Sequence, residues 1–413
     1  MTEVNPGWWP ESTPTTDVRT RCLQLDDLEY HILEAVPKTT TSYSFQGQEQ
    51  PPLIILLHGF PELCYSWRRV LLPLCEAGYH VVAPDQRGYG RTASKTSRRG
   101  EQIRFEDDLS PFRMLNLVKD IVALVYGLGH DSAEAIIGHD FGSLVAGYCA
   151  LIRPDLFLSV VMMSAPFPGP PSLPAATSSE VPSLGSMVAS LREQLGNLTP
   201  PRKHYTLYFS SPEANEQMLN PPGSLHSFLR HYFHAKSADW KGNVPYRLPS
   251  LSAVHLAAMP RYYIMLQNET MPEAVTSCLE NRDESTRDGN DDATPAWLPD
   301  DELAVYTQEY ARTGFQGGLN WYRCMTDPTW SQDLKVFSGK RITVPAMFIS
   351  GRQDWGTYQS PGAAELMREQ NCERMDDEDF VLIEGAGHWV QQEQSSEVVK
   401  HIIRFLEKTR RRK

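Results

Sequence analysis

The amino-acid sequence predicts an α/β fold with a mostly parallel sheet, helices on both of its faces and an inserted, mainly helical segment. Short apolar, β-branched runs alternate along the chain with stretches of helical length, which is typical of a parallel sheet covered by helices. This alternation stops after Pro166 and resumes near Val344. With 413 residues, the chain is long enough for one large domain and an insertion of this kind.

The predicted core strands are continuous apolar runs, as expected for strands that are buried on both faces. A leading pair of strands is expected before Pro51, and the runs that follow it are Leu53–Leu57, His80–Ala83, Ala135–Ile137, Val160–Met163, Val344–Ile349 and Phe380–Ile383. The spacing of the apolar residues predicts helices over Phe112–Tyr126, Ser143–Ile152 and Ser396–Lys408. The last of these helices is amphipathic and closes the chain.

The segment from Phe167 to about Lys335 is rich in Pro, Ser and aromatic residues and has no apolar run typical of a buried strand. Helices and loops are therefore predicted there. We expect an α/β core over residues 1–166 and 336–413, and a helical cap over residues 167–335. Within the cap, the stretch near 280–296 is dominated by charged and polar residues, which predicts an acidic surface loop.

Composition narrows the classes of function. The formal net charge of -12 argues against a nucleic-acid partner, because phosphates would be repelled.

No basic stretch followed by an apolar one is present near the first residue, and no apolar run is long enough for a membrane span. The seven cysteines show no paired C-x-x-C spacing, which is typical of a reducing compartment. A cytoplasmic protein is expected, and a homo-oligomer is left open.

The motif at Gly138–Gly142 (GHDFG) follows one predicted strand and precedes a predicted helix. A Gly-x-Ser-x-Gly nucleophile turn belongs at such a place, and here Asp140 stands where the serine would be. A carboxylate with an ordinary pKa of roughly 3.9 is anionic at neutral pH. It can displace a leaving group at saturated carbon and form an alkyl ester. The alternative interpretation is that Asp140 is simply a helix N-cap.

Two further residues complete a catalytic set. His388 lies on a glycine-rich loop after the last predicted strand, and Asp354 follows the strand before it. Because the carboxyl ends of parallel strands share one edge of a sheet, Asp140, Asp354 and His388 are expected to meet there. Their chain order is nucleophile, acid, base, and the acid would orient the imidazole. Taken alone, His388 has an alternative interpretation as a buried structural histidine.

The motif His58-Gly59-Phe60-Pro61 directly follows the strand predicted at Leu53–Leu57. Its position predicts an oxyanion loop. The backbone N–H groups of Phe60 and Phe141 would face the oxygen that becomes negative when water attacks an ester of Asp140. For His58 itself, a structural role in the loop is predicted rather than a role as base.

With these motifs, the chain resembles an epoxide hydrolase of the α/β-hydrolase superfamily, similar to the soluble mammalian type in its C-terminal domain. The resemblance runs from about Asp17 to Leu406, without a counterpart of the mammalian phosphatase domain. It implies two ring-opening tyrosines in the cap. The segment Gly314–Arg323 matches the family's cap signature and implies Tyr322. The segment His204–Phe209 implies Tyr205, with Tyr208 as the alternative.

The expected activity is conversion of a small-molecule epoxide and water to a vicinal diol. Two phenols would bind the epoxide oxygen as the carbon–oxygen bond stretches. No metal and no organic cofactor is expected. One alternative is a haloalkane or haloacid dehalogenase. Those enzymes resemble a different pattern, in which a Trp stands beside the nucleophile, whereas this chain has Phe141 at that position. Another is a non-catalytic receptor or binding module on a hydrolase fold, but such proteins often lack one of the three catalytic residues.

Overall fold

The structure, a computed structural model, describes residues 13–38, 50–95, 101–173, 184–280 and 295–411. Within these residues, ten strands form one sheet. The strands before the insertion are β1 (Thr16–Leu25), β2 (Leu28–Pro37), β3 (Leu53–Leu57), β4 (His80–Pro84), β5 (Ala93–Ser94), β6 (Ala133–His139) and β7 (Val160–Met163). The helices among them are α1 (Arg68–Glu76), α2 (Met114–Gly127) and α3 (Phe141–Ile152).

Residues 167–335, called here the inserted segment, carry mainly helices. These are α4 (Leu184–Gly196), α5 (Tyr205–Phe209), α6 (Ala214–Leu219), α7 (Leu225–Lys236), α8 (Ala253–Leu256), α9 (Met271–Glu280), α10 (Asp300–Thr313) and α11 (Gln316–Thr326). A short antiparallel pair, β8 (Arg202–His204) and β9 (Ile264–Leu266), lies among them. No strand is predicted here from the sequence, because three residues are too few to give an apolar run of their own.

The chain then returns to the core sheet. The remaining strands are β10 (Ile342–Gly351), β11 (Cys372–Arg374) and β12 (Phe380–Ile383), and the remaining helices are α12 (Ala363–Leu366), α13 (Val390–Glu393) and α14 (Ser395–Arg411). Other connections include 3-10 helix at Cys64–Trp67, Pro328–Phe337 and Trp355–Thr357, and a π-helical turn at Met367–Asn371.

The order of strands in the main sheet is β1-β2-β4-β3-β6-β7-β10. Both β11 and β12 pair along β10, and β5 pairs with β2. The pairs β1–β2, β2–β4 and β2–β5 are antiparallel, and the others in this sheet are parallel. Helix α1 packs against α14, and α2 packs against α3. The predicted α/β fold, with a mostly parallel sheet and helices on both faces, is confirmed.

The register of the parallel strands brings their carboxyl ends together. Leu57 pairs with Gly138, and His139 pairs with Met163. On the other side of β7, the last residue of β10, Gly351, pairs with Ile383 at the end of β12. The loops that follow β3, β6, β10 and β12 therefore leave the sheet at one edge, and each of these loops carries a residue predicted for the site.

The predicted strands were found with small shifts at their ends. The runs Leu53–Leu57, Val160–Met163 and Phe380–Ile383 have the predicted bounds. All residues of β3, β4 and β7 are buried, which is why their sequences are continuously apolar. Helix α2 begins two residues later than predicted because Pro111 is part of a separate 3-10 turn. The exact division into a core and a cap at 167–335 stays a prediction.

Three other features relate to expectations from the sequence. Most of the predicted acidic loop, residues 281–294, lies outside the described residues. Within the described residues, no helix combines the length and the apolar character needed to cross a membrane. All seven cysteines are free thiols, and Cys149 and Cys324 are buried, as expected for small residues of an apolar core.

Candidate active site

Asp140 lies on a sharp turn between β6 and α3. Its backbone has a positive φ of 53° and a ψ of -118°, a conformation that costs an L-residue about 1–3 kcal/mol. A Cβ atom at Gly138 would overlap the carbonyl of Gly142, and one at Gly142 would overlap the carbonyls of Leu57 and His58. The glycines are needed because the backbone passes this close to itself. Asp140 occupies the N-cap position of α3, but its side chain makes no capping hydrogen bond to the helix, so capping does not account for this residue.

The predicted acid and base lie beside this turn. The Nδ1 atom of His388 faces the carboxylate of Asp354, at 3.1 Å from Oδ1 and 3.2 Å from Oδ2. On the other side of the ring, Nε2 lies 3.5 Å from Oδ2 of Asp140. Both His388 and Asp354 are 2% exposed, so their interaction is shielded from water. An imidazole held in this way presents Nε2 to whatever reacts at Asp140.

Asp354 is fixed by hydrogen bonds of its own. The backbone N–H of Gly356 donates to Oδ1 over 2.7 Å, and the hydroxyl of Ser350 donates to Oδ2 over 3.2 Å. Burial raises the pKa of a carboxyl group, but the charge and hydrogen bond of His388 hold the pKa of Asp354 below its ordinary value. Asp354 is therefore a carboxylate that orients the ring of His388.

Asp140 is also kept ionised by its surroundings. Burial works against the charge, but the adjoining imidazole of His388 outweighs it. The charges of Lys236 and His139 act in the same direction as His388. The pKa of Asp140 is consequently held well below its ordinary value, and its side chain is a carboxylate throughout the neutral range.

The loop after β3 reaches Asp140. The backbone N–H of Phe60 donates to Oδ1 of Asp140 over 3.0 Å. His58 Nδ1–H donates to the carbonyl of Gly59 over 2.9 Å, and its Nε2 accepts the N–H of Gln86 over 3.1 Å. His58 thus stabilises the loop, which confirms its predicted structural role. Burial lowers the pKa of this histidine, in keeping with a neutral ring.

The aromatic ring of Tyr322 packs between the two residues predicted for the oxyanion hole. Its centroid lies 5.5 Å from that of Phe60 and 4.9 Å from that of Phe141. The ring of Tyr205 lies 6.0 Å from the ring of Tyr322, and its hydroxyl donates to Gln359 over 3.4 Å. The two tyrosines come from α5 and α11 of the inserted segment, so this segment extends over the edge of the sheet that carries Asp140.

Both phenols are held in the protonated form. Burial raises the pKa of Tyr205 and of Tyr322 well above the ordinary value, and the negative charge of Asp140 raises each further. Tyr208 is placed differently, because the charges that act on it come from Glu273 and Glu213. The charge of Asp140 acts on Tyr205, and the ring of Tyr205 lies 6.0 Å from that of Tyr322, so Tyr205 is favoured over Tyr208 for the predicted role.

A buried ion pair, which the sequence did not reveal, adjoins the site. His139 Nδ1 lies 2.5 Å from Oε2 of Glu62, and its Nε2 lies 2.7 Å from the backbone carbonyl of His388. Because both partners are acceptors, both ring nitrogens carry protons and His139 is a cation. Burial lowers the pKa of His139, but Glu62 outweighs burial and the pKa is raised. The only signal in the sequence is that each residue adjoins a catalytic motif.

The loop of His388 is tied down by a second acid that the sequence did not reveal. Glu393 accepts the backbone N–H groups of Gly387 and Trp389, both over 3.0 Å. It also accepts the N–H of Ala238 from the inserted segment over 2.8 Å. The N–H of His388 itself donates to the carbonyl of Lys236 over 2.8 Å. Every backbone N–H from residue 387 to 389 is thus bonded, which fixes the position of the imidazole.

Two groups of side chains within the described residues could supply metal ligands, and neither includes a predicted site residue. In the buried group, Asp85 accepts from His31 Nδ1 over 2.8 Å and from the N–H of Cys64 over 2.9 Å, so its oxygens are already engaged. In the second group, Asp376, Glu378 and Asp379 all bind the ammonium of Lys408. Both groups are accounted for by the contacts that the protein makes with itself.

Comparison with known proteins agrees with this geometry. A family model described as the alpha/beta hydrolase fold matches residues 52–394, and the chain belongs to that family. Epoxide hydrolase A of Mycobacterium tuberculosis is 33% identical over 362 residues, which are 87% of this chain and 92% of that protein. Epoxide hydrolase 3 of Siraitia grosvenorii is 29% identical over 360 residues, 86% of this chain and 92% of that protein. The predicted resemblance to epoxide hydrolases is confirmed.

Solved structures lead to the same group of proteins. An epoxide hydrolase from an endophytic Streptomyces matches with a TM-score of 0.71 at 26% identity, covering 95% of this chain and 96% of that chain. Epoxide Hydrolase A from Mycobacterium thermoresistibile matches with a TM-score of 0.67 at 29% identity, covering 95% and 98% respectively. The likeness extends over the inserted segment as well as the sheet.

Proposed function

We propose that this chain is an epoxide hydrolase that works through a covalent ester of Asp140. The single observation that carries the proposal is the environment of this carboxylate. It is ionised, lies on a strained turn, and is contacted by the N–H of Phe60 at 3.0 Å and faced by Nε2 of His388 at 3.5 Å. A carboxylate that needs no base for its own activation, yet has one beside it, suits a two-step reaction.

In the first step, Asp140 attacks a carbon atom of the epoxide and the carbon–oxygen bond of the ring breaks. The oxygen that leaves carbon takes a proton from one of the phenols of Tyr205 and Tyr322 while the other donates a hydrogen bond to it. The raised pKa values of both tyrosines support this role, because a phenol must be protonated to donate. The product of the step is an alkyl ester of Asp140 that carries a hydroxyl group on the neighbouring carbon.

In the second step, His388 takes a proton from a water molecule, whose oxygen attacks the ester carbonyl of Asp140. The carbonyl oxygen becomes negative and is stabilised by the N–H groups of Phe60 and Phe141. The ester bond then breaks, and the alkoxide accepts the proton from His388 as the vicinal diol leaves. The other proton of the water, left on the carboxyl group of Asp140, passes to the phenolate formed in the first step, so that Asp140 is again a carboxylate and both tyrosines are again protonated. Asp354 stabilises the imidazolium that exists between the two proton transfers. Its contact with Nδ1 of His388 supports this assignment.

The inserted segment acts as the cap in this proposal, with bounds at 167–335. It supplies both tyrosines, and it forms an apolar cleft against the core. The cleft has a volume of about 610 Å³ and is lined by residues that include Phe141, Leu144, Tyr148 and Trp321. Because this cleft adjoins the residue after the nucleophile, we infer that it receives an apolar substituent of the epoxide.

The free thiols support a reducing compartment, so we place the enzyme in the cytoplasm. Six of the seven cysteines are buried and Cys22 is exposed, and none is bonded to another. Proteins of oxidising compartments more often pair their cysteines.

Oxygen labelling tests the proposal directly. Excess enzyme is mixed with limiting epoxide in water that carries heavy oxygen. We expect an unlabelled first diol and label in the peptide that contains Asp140, because water attacks the carbonyl carbon of the ester. Direct attack of water on the epoxide gives the opposite result, a labelled diol and an unlabelled peptide. Release of halide from a chloroalkane or bromoalkane, with no diol from any epoxide, would favour a dehalogenase instead.

A further inference from the structure

Lys236, the last residue of α7, is a buried cation beside the catalytic residues. The residue is 5% exposed. Its Nζ atom lies 5.2 Å from the ring centroid of Tyr263, 5.4 Å from that of Tyr232 and 5.5 Å from that of Trp389. The ammonium is therefore surrounded by the faces of three aromatic rings, an arrangement that suits a cation.

Among the residues that the structure describes, none is an anionic partner of this ammonium. Among the described residues, no carboxylate lies within ion-pair distance of Nζ and no side-chain or backbone acceptor is hydrogen-bonded to it. Removing an ammonium group from water is costly, and aromatic rings offset only part of that cost. Burial accordingly lowers the pKa of Lys236, although the more distant charges of Asp140, Asp354 and Glu62 oppose this effect.

These three carboxylates are bound by other groups. Glu62 forms its ion pair with His139, and Asp354 accepts from His388. Asp140 accepts from the backbone of Phe60. The three acids thus make the surroundings of Lys236 negative without supplying it with a hydrogen-bond acceptor.

The residues around Lys236 also adjoin the proposed catalytic residues. Trp389 directly follows the catalytic histidine, and the ring of Tyr263 lies 5.1 Å from the ring of Tyr205. The backbone carbonyl of Lys236 accepts the N–H of His388. The ammonium therefore lies on the side of the site formed by His388 and Tyr205. The apolar cleft is on the side of Phe141 and Trp321.

We propose that Lys236 binds a carboxylate group of the substrate, so that the preferred substrates are epoxides that carry an acid group. This inference rests on the proposed function. A carboxylate placed among these rings supplies the acceptor that the ammonium lacks, and a charge-assisted hydrogen bond in such apolar surroundings is strong. The acid group then points toward His388 and Tyr205, and the apolar substituent occupies the cleft beside Phe141.

The test compares acids with neutral analogues of the same shape. A homologous series of epoxy acids is paired with the corresponding primary amides, and kcat/KM is measured for each member of a pair. We expect the unaltered protein to prefer the acid in the pair of matching length. In Lys236→Met the ratio of acid to amide should fall roughly 10- to 100-fold, as for the loss of one charge-assisted hydrogen bond. In Lys236→Arg, which keeps the charge, part of the preference should remain.

Lys203→Met is the matched control. Lys203 also lies over an aromatic ring, with Nζ 5.0 Å from the centroid of Tyr208, but it is outside the proposed site. Its replacement should leave the ratio as it is. An equal loss for acid and amide in Lys236→Met would show that Lys236 acts only as a counter-charge for the catalytic residues, and it would overturn the inference. If the unaltered protein forms no diol from either member of any pair, the proposed function itself fails.

Discussion

The Nε2 atom of His388 lies 3.5 Å from Oδ2 of Asp140. The base is thus close to a nucleophile that does not need it, because the pKa of Asp140 is already held well below its ordinary value. The same distance places Nε2 beside the carbonyl carbon of any ester formed at Asp140. In the proposed mechanism, the base therefore serves the second step alone.

Replacing the base should stop the reaction after the first step, when the ester has formed. In His388→Gln we expect one equivalent of epoxide to react and remain bound as an ester, since attack by Asp140 needs no base. Intact-mass spectrometry should show a mass increase equal to that of the epoxide. His401→Gln, a substitution on α14 outside the site, should turn over like the parent protein. Rapid multiple turnover by His388→Gln would refute the assigned role.

Removing the phenol hydroxyls should slow ring opening. Tyr322→Phe and Tyr205→Phe each remove one donor to the developing alkoxide, which costs about 2.7–4 kcal/mol, or roughly 100- to 1000-fold in rate. The alkylation rate is measured in the pre-steady state. Tyr208→Phe is the control and should alkylate at nearly the parent rate. If the double variant Tyr205→Phe/Tyr322→Phe alkylates at the rate of the parent protein, the roles assigned to both tyrosines are wrong.

The alkylation step should depend little on pH. The lowered pKa of Asp140 keeps the nucleophile ionised below the ordinary range of an acid, and the raised pKa values of Tyr205 and Tyr322 keep the donors protonated above the ordinary range of a phenol. The rate of alkylation in single turnover should therefore be flat between about pH 5 and about pH 10. Buffered rapid-mixing measurements check this. A fall in rate within that window would contradict the assigned ionisation states.

The nucleophile turn should tolerate no side chain at Gly138. The added methyl group in Gly138→Ala would overlap the backbone carbonyl of Gly142. We expect the free energy of unfolding to drop by at least about 1–3 kcal/mol, a typical cost of overpacking. Chemical denaturation measures the change. Gly196→Ala is the control, because nothing lies within 4 Å of the added atom, and unchanged stability in both variants would contradict the described turn.

Much of this protein could be predicted from local signals. Continuous apolar runs identify the core strands, so the bounds of β3, β7 and β12 were predicted without error, although β12 is only partly buried. The turn at Asp140 could be predicted because a sharp connection between a strand and a helix requires glycine at fixed positions. Local signals fail for β8 and β9, which are three residues each and depend on one another for their pairing.

The sequence by itself determined the fold class, and it predicted the nucleophile and the motifs for the acid, the base and the oxyanion loop. Each of these features depends on a few consecutive residues, whose local backbone conformation or side-chain chemistry is enough to predict it. The tertiary structure favours Tyr205 over Tyr208, since both lie on the same short helix and the charge of Asp140 acts on Tyr205. It also brought Lys236 among three aromatic rings and Glu393 onto the loop of His388. Such contacts join residues far apart in the chain, and their energy depends on how the inserted segment packs against the core rather than on any neighbouring residue.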